Sequence, residues 1–209
     1  MTTEEDNRHT IDVFSSSLLQ HGHDFRALNW GSQKGQENRF RILCEIGIET
    51  ADSVLDVGCG LGDLYGYLKK RGTKVDYSGL DITPDMVAAA RDKFPEAKFR
   101  EGGLLDATHL SDQSFDYVIA SGIFYLRRDK PFQHLERSAR RMFELCRKGV
   151  AFNCLSTWAE PADDGSDEYR EDPVRCFEFC RTLSPWTVLR TDYHPGDFTL
   201  YLRRQAQQS

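Results

Sequence analysis

A short apolar strand that runs directly into three closely spaced glycines is the dominant feature of this sequence. Residues 54–57 read Val-Leu-Asp-Val, and Gly58, Gly60 and Gly62 follow. Such an apolar run is typical of a buried strand, and the glycines indicate a turn with positive φ angles or close contact with a ligand. Residues 64–70 continue with helical spacing. This strand-turn-helix unit predicts a ligand site at the carboxyl edge of a parallel sheet.

Strand and helix patterns alternate along the rest of the chain. Apolar or β-branched segments predict strands at residues 75–80, 97–100, 115–121, 150–155, 186–190 and 198–202. Helical periodicity predicts helices at residues 84–94, with Thr83 as the N-cap, and at residues 131–147 and 174–181. The alternation favours βαβ units in a mainly parallel sheet, and the short link before the last strand predicts an antiparallel edge hairpin.

Two amphipathic segments, residues 10–20 and 36–48, precede the first strand. They predict an N-terminal helical cap. We therefore expect a helical extension over residues 1–50 and a ligand-binding α/β domain over residues 51–209. A length of 209 residues suits one α/β domain with additions of this kind.

Composition restricts the partners. A net charge of −6 would oppose binding to a phosphate backbone, so nucleic acid is not the expected substrate. The acidic, polar start resembles no targeting peptide, and no apolar run is long enough to span a membrane. We therefore expect a cytoplasmic protein without a membrane partner. The oligomeric state stays open.

Neither the cysteines nor the histidines have the spacing of a metal site. The six cysteines include no C-x-x-C pair, and Cys176 and Cys180 have no second pair nearby. His21 and His23 lack an adjacent carboxylate. No metal is predicted, and reduced buried thiols are expected.

The acids around the glycines narrow the choice of ligand. A dinucleotide loop needs a small residue where this chain has Asp63, and this carboxylate and that of Asp56 would repel a pyrophosphate. They suit the ammonium of an amino acid, and S-adenosylmethionine has such an ammonium and no phosphate. Asp81, about twenty residues beyond the loop, is placed to accept both hydroxyls of a ribose.

Residues 54–62 resemble the nucleotide-loop motif of the class I S-adenosylmethionine-dependent methyltransferases, Asp81 matches the ribose acid of that family, and residues 115–122 resemble its fourth-strand motif. The resemblance spans about residues 53–202. It implies a Rossmann-like, doubly wound α/β fold whose seven-stranded sheet is mainly parallel with the last strand antiparallel. The implied cofactor is S-adenosyl-L-methionine.

One position departs from the family pattern. The family often has an acid for the adenine amine after the third strand, where this chain has Gly103. The resemblance therefore implies that backbone groups and apolar packing from Gly103 and Leu104 hold the adenine, with Asp106 as an alternative.

The segment 29–40, with Trp30, Ser32, Gln36 and Arg39, is similar to one bacterial subgroup of this family of the small-molecule type. Residues 142–150 and 197–201 strengthen that similarity. The subgroup implies that Trp30 and Arg39 close over the methionine end, with Arg39 pairing its carboxylate. It implies no particular substrate.

Loops at the strand ends supply the candidates for contact with a methyl acceptor. The predicted catalytic residues are Tyr125, Asn153, His194 and Asp197. Three of them have a stated structural alternative: Tyr125 in the core, Asn153 bonded to backbone, and His194 in a turn before Pro195. Whether a general base is used stays open. The acidic residues 156–172 could form a lid that favours cationic acceptors, or only a solvated loop.

The sequence thus predicts a methyltransferase acting on a small molecule. The predicted cofactor-binding residues are Trp30, Arg39, Asp56, Gly58, Cys59, Gly60, Asp81, Ile82, Met86, Gly103, Leu104, Leu105, Ala120, Ser121 and Gly122. Two alternatives remain: a non-catalytic scaffold or sensor that binds the same cofactor, and a nicotinamide-dependent oxidoreductase, which Asp63 disfavours.

Overall fold

A seven-stranded sheet lies at the centre of the computed structural model, which describes residues 3–160 and 168–207. The strands are β1 (Ser53–Val57), β2 (Asp76–Asp81), β3 (Lys98–Glu101), β4 (Phe115–Ala120), β5 (Cys146–Leu155), β6 (Trp186–Arg190) and β7 (Asp197–Arg203). The helices are α1 (Thr3–His21), a 3₁₀ helix (Phe25–Leu28), α2 (Gln33–Cys44), α3 (Asp63–Lys70), α4 (Pro84–Lys93), α5 (Pro131–Leu145) and α6 (Pro173–Leu183).

The strand order is β3-β2-β1-β4-β5-β7-β6. Strands β1 to β5 pair in parallel, whereas β7 runs antiparallel to both of its neighbours, β5 and β6. The predicted doubly wound sheet with a reversed last strand and an antiparallel edge hairpin is confirmed. The order reverses between β1 and β4, and such a reversal opens a crevice at the carboxyl ends of the strands.

Helices cover both faces of the sheet, which is why its central strands are apolar on both sides. Side chains alternate along a strand, so the consecutive residues Val118 and Ile119 enter different clusters. Val118 lies in one cluster with Met142 of α5, and Ile119 lies in the other cluster with Leu43 of α2. All of these side chains are fully buried.

Several elements differ from the sequence prediction: the 3₁₀ helix Phe25–Leu28 was not predicted, and α2 spans Gln33–Cys44 where residues 36–48 were expected. Helix α1 begins at Thr3, seven residues before the predicted start at position 10, because its first turns are polar and show no apolar periodicity. Strand β5 begins at Cys146, directly after α5, and pairs there with Phe115 across a register shift in β4. Thr83 is the N-cap of α4, but its side chain makes no cap hydrogen bond.

The predicted cap helices α1 and α2 precede β1, and the division into residues 1–50 and 51–209 stays a prediction. Residues 161–167 of the predicted acidic lid lie outside the described residues. Within the described residues, no helix has the length and apolar character needed to cross a bilayer. The same part of the chain holds no cluster of three or more His, Cys, Asp or Glu suited to a metal ion.

Candidate functional site

A cavity of about 390 Å³ lies at the carboxyl ends of β1, β2 and β4, where the sheet order reverses. Its volume is in the range of small-molecule and cofactor pockets. The structure brings most of the predicted site residues together on its walls: Trp30, Arg39, Gly58, Gly60, Asp81, Ile82, Met86, Gly103, Leu104, Leu105, Ser121, Gly122, Tyr125, Asn153 and His194. Asp106, the alternative adenine contact, also lines it.

The glycine loop places bare backbone against the cavity. Gly58 and Gly60 have φ angles of +69° and +49°, which disfavour residues with a Cβ. A Cβ at Gly58 would lie 2.3 Å from Ile123 Cγ2, and one at Gly60 would lie 2.5 Å from Leu28 Cδ2. Only glycine fits at either position without movement of a neighbour, because the side chains of Ile123 and Leu28 lie close to the loop backbone.

Asp81 is fixed at the end of β2 by the backbone. Its Oδ2 accepts from the Gly60 N–H and its Oδ1 from the Thr83 N–H, both at 2.8 Å. Each carboxylate oxygen keeps further acceptor capacity. Burial raises the pKa of Asp81, which the backbone hydrogen bonds oppose. The carboxylate is therefore held rigidly on the cavity wall, ready to accept from a vicinal diol.

Two acids do not lie where the sequence argument placed them. Asp56 is buried beneath the loop, where Oδ2 accepts from the Tyr77 hydroxyl at 2.5 Å. Burial raises the pKa of Asp56 to about 7. Asp63 accepts from Gln36 Nε2 at 2.9 Å and pairs with Lys93 Nζ at 2.5 Å. Neither carboxylate lines the cavity, so the structure does not place them to meet the cofactor's ammonium. Gly58 and Gly60 of the loop and Asp81, which do line the cavity, are what support a cofactor site.

Two further predicted contacts lie behind the cavity wall. Cys59 packs in an apolar cluster with Tyr77 and Phe99, and Ala120 at the end of β4 is fully buried. Neither side chain lines the cavity. The structure therefore does not bring the side chains of these two predicted residues to the cavity.

Arg39 forms a cluster with Trp30 and Asp197 on one wall. Its guanidinium carbon lies 4.9 Å from the centre of a Trp30 ring, and its Nη2 lies 2.6 Å from Asp197 Oδ2. Asp197, at the start of β7, is fully buried behind Arg39 and does not line the cavity. Among the described residues, Arg39 Nε and both Asp197 oxygens have no partner in hydrogen-bond geometry. Asp197 thus anchors Arg39 and is not placed to touch an acceptor.

The ends of β4 and β5 are tied together beside this cluster. Asn153 Oδ1 accepts from the Gly122 N–H at 3.0 Å. Gly122 has a φ of +72°, and a Cβ there would lie 3.0 Å from Trp30 Cη2. The buried hydroxyl of Ser121 lines the cavity and has no hydrogen-bond partner within the described residues. This orphaned group is available to a ligand.

Tyr125 and His194 lie at other points of the wall. The Tyr125 hydroxyl accepts from Asn29 Nδ2 at 2.7 Å, and burial raises the pKa of this phenol. His194 is half exposed, and its Nδ1 accepts from the Gly196 N–H at 3.1 Å. The His194 Nδ1 also lies 3.4 Å from Asp197 Oδ2. This is the turn geometry that the sequence left as an alternative for His194.

Sequence reasoning missed a wall of the cavity formed by α1, α5 and the segment between β4 and α5. Asn7, Thr10 and Phe14 of α1 line the cavity. So do Arg128 and His134, and burial together with Arg128 and Arg137 lowers the pKa of His134 to about 4. The spacing of Asn7, Thr10 and Phe14 on one helix face was a usable signal. Arg128 had none, because its place depends on contacts with a helix more than a hundred residues away.

These residues fit S-adenosylmethionine. Gly58 and Gly60 place backbone without side chains on the cavity wall, Asp81 suits the ribose, and the Ser121 hydroxyl has no hydrogen-bond partner among the described residues. Gly103 and Leu104 line the cavity next to Ile82, as expected for an adenine held by backbone and apolar contacts.

Comparison with known proteins gives the family. A family model described as a methyltransferase domain matches residues 54–149. A Mycobacterium tuberculosis protein named as a methyltransferase, Rv1506c, is 36% identical over 159 residues, which cover 74% of this chain and 94% of that protein. Trans-aconitate 2-methyltransferase of Escherichia coli O157:H7 is 28% identical over 121 residues, which cover 57% of this chain and 46% of that enzyme.

The fold has counterparts among solved structures. The crystal structure of magnesium protoporphyrin IX methyltransferase from Synechocystis with bound S-adenosylmethionine superposes with a TM-score of 0.71. It covers 96% of this chain and 97% of that chain at 14% identity. The chain therefore belongs to the class I S-adenosylmethionine-dependent methyltransferases and is an enzyme that takes S-adenosyl-L-methionine as its methyl donor.

Proposed function

We propose that the enzyme methylates a small molecule that binds in the same cavity as the cofactor. One observation carries this proposal: the cavity that holds Asp81 and the glycine loop continues past Ser121 to Tyr125 and His134, with α1 along its side. At about 390 Å³, the cavity is in the size range of small-molecule sites. The names of two similar proteins, for trans-aconitate and magnesium protoporphyrin IX, are those of small-molecule enzymes.

We assign the cofactor's parts to three groups of residues. Gly58, Gly60 and Ser121 receive the methionine end, and Arg39, stacked on Trp30, pairs with its carboxylate. Asp81 accepts from both ribose hydroxyls. Ile82, Met86, Gly103, Leu104 and Leu105 surround the adenine.

Asp56, Cys59 and Ala120 act indirectly, by holding the loop and the strand end behind the cavity. When bound, the cofactor supplies a methyl group already activated by a sulfonium. The work left to the chain is therefore alignment of the acceptor with that methyl group.

The contacts of the candidate catalytic residues support a role in positioning and hydrogen bonding rather than in removing a proton. The Tyr125 hydroxyl accepts from Asn29, so its own proton is free to donate to an acceptor. The side-chain carbonyl oxygen of Asn153 accepts from the Gly122 N–H, so the NH₂ group of Asn153 is left to donate to the acceptor. The Nδ1 lone pair of His194 is used by the Gly196 N–H, so a neutral ring carries its proton on Nε2. Asp197 positions Arg39.

The ribose assignment is tested with Asp81→Asn. The amide would set an NH₂ group against the N–H of either Gly60 or Thr83 and would lose the charge that strengthens the ribose hydrogen bonds. Isothermal titration should show S-adenosylmethionine binding weakened by about 10-fold or more. Asp85→Asn, an exposed acid in the first turn of α4, is the matched control and should bind normally. Equal affinity of the two variants would show that Asp81 does not bind the cofactor.

The acceptor class is tested with labelled cofactor and a cell extract divided by ultrafiltration. The label should appear in a small-molecule product of the filtrate that chromatography separates from the labelled cofactor. Transfer confined to the retained protein and nucleic acid would contradict the proposal.

A further inference from the structure

Arg128 gives the cavity a positively charged wall that the cofactor assignments leave unused. It lies between β4 and α5 and lines the cavity. Its Nη2 donates to Thr10 Oγ1 at 2.9 Å and its Nη1 to Asn7 Oδ1 at 3.3 Å. Both acceptors are neutral, so they orient the guanidinium without neutralising it.

The charge of Arg128 is not balanced by an ion pair. No carboxylate among residues 3–160 and 168–207 lies within 4 Å of its guanidinium nitrogens. Asp6 is near enough to favour the charged form, but its Oδ1 accepts from the Asp129 N–H at 3.3 Å. Glu168, a carboxylate on the cavity wall, pairs with Arg170 at 2.9 Å. Burial lowers the pKa of Arg128, as expected for a cation that lacks a close counter-charge.

The cofactor offers no second anion for this site. S-adenosylmethionine has a positive sulfonium, a positive ammonium and one carboxylate. That carboxylate is assigned to Arg39, which β7 holds through Asp197, whereas α1 holds Arg128. An anion at Arg128 must then come from the methyl acceptor.

The surroundings of Arg128 suit an acceptor with an apolar body. Phe14 and Tyr125 line the same cavity and contact each other edge to face, with ring centres 6.4 Å apart. His134 lies on the same wall, and because its pKa is lowered to about 4 it stays neutral at physiological pH. A neutral imidazole supplies one N–H donor without adding charge.

We propose that Arg128, oriented by Thr10 and Asn7, binds an anionic group of the acceptor, either a carboxylate or a phosphate. Phe14 and Tyr125 pack on the apolar part of that acceptor. This inference rests on the proposed small-molecule function. It replaces the expectation that an acidic lid selects cationic acceptors.

The test uses ring probes of similar size that differ in charge. The full-length protein is saturated with S-adenosylhomocysteine and titrated calorimetrically with benzoate, phenyl phosphate, benzamide and benzylammonium. Benzoate or phenyl phosphate should bind at least about tenfold more tightly than benzamide, the factor expected for a charge-assisted hydrogen bond. The anion that binds more tightly, benzoate or phenyl phosphate, identifies the acceptor group at Arg128 as a carboxylate or a phosphate.

Three variants locate the effect. Arg128→Gln should abolish the preference for the anion. Arg128→Lys keeps the positive charge and should keep part of the preference, which would show that substitution at this position does not unfold the protein. Arg140→Gln removes the same charge from the exposed face of α5, outside the cavity, and should keep the full preference. The affinity for S-adenosylhomocysteine should be unchanged in all three.

The proposal is overturned if benzamide binds as well as the anions, or if the preference survives in Arg128→Gln. It is equally overturned if Arg128→Gln weakens S-adenosylhomocysteine, because Arg128 would then serve the cofactor. Failure of the proposed function gives a different result. The label from the cofactor would then enter only macromolecules, while the calorimetric preference for anionic probes would be unchanged.

Discussion

Gly58→Ala separates the two reasons for glycine in the loop, namely backbone conformation and close contact. Gly72 provides the matched control. Its φ of +77° is close to the +69° of Gly58, but a Cβ at Gly72 would have no neighbour within 4 Å. A Cβ at Gly58 would lie 2.3 Å from Ile123 Cγ2. The two alanine variants therefore share the conformational strain and differ in the steric term.

The magnitudes follow from these two terms. A left-handed conformation costs an alanine about 1–2 kcal/mol, and the loss of freedom in the unfolded chain returns about 0.4–1 kcal/mol. Gly72→Ala should thus destabilise by about 1 kcal/mol. Gly58→Ala should add the cost of overpacking, about 1–3 kcal/mol, because Ile123 must move. Ile123 also lines the cavity, so its displacement should weaken cofactor binding.

Urea denaturation measures the first effect and calorimetric titration with S-adenosylmethionine the second. We expect Gly72→Ala to bind the cofactor like the wild type, and Gly58→Ala to lose about 10-fold or more, which corresponds to about 1.4 kcal/mol. Equal stability losses in the two variants, together with normal binding by Gly58→Ala, would refute the close-contact argument.

Two further predictions concern buried charges. Because burial raises the pKa of Asp56 to about 7, the folded protein binds a proton that the unfolded chain releases above about pH 4, and stability should fall as pH rises towards 7. Urea melts between pH 5 and 8 should show this slope, at most about 1.4 kcal/mol per pH unit from this group, reduced in Asp56→Asn; an unchanged slope would contradict the assignment. Arg39→Gln should destabilise by about 3 kcal/mol, because Asp197 is then left buried without its counter-charge. Adding Asp197→Asn should restore part of that loss in a double-mutant cycle, whereas strictly additive losses would show that the pair does not interact.

Local patterns were enough to predict most of the fold. The strands and helices follow from alternation of apolar residues and from punctuation by glycine and proline, which are properties of neighbouring positions. Errors arose where the local pattern was weak. The start of α1 is polar and was missed, and Thr83 was expected to cap α4 with a side chain that makes no such bond.

The site was predicted unevenly for the same reason. Asp81 and the glycines occupy the ends of adjacent strands, so their spacing along the chain already implies their proximity. Asp56 was misplaced because alternation along β1 does not reveal that Tyr77, on the neighbouring strand, takes up its carboxylate. Arg128 was overlooked because no pattern near it indicates contact with α1.

The sequence by itself determined the doubly wound sheet, the glycine loop after β1 and the place of Asp81 at the end of β2, since each depends on the order of residues within one or two strand-helix units. Only the tertiary structure decided which charged groups face the cavity. Asp197 turns inward to anchor Arg39, Asp63 turns away to Lys93, and Arg128 points into the cavity from beside α1. The physical reason is that burial and partners set the orientation of a charge, and these partners come from distant parts of the chain.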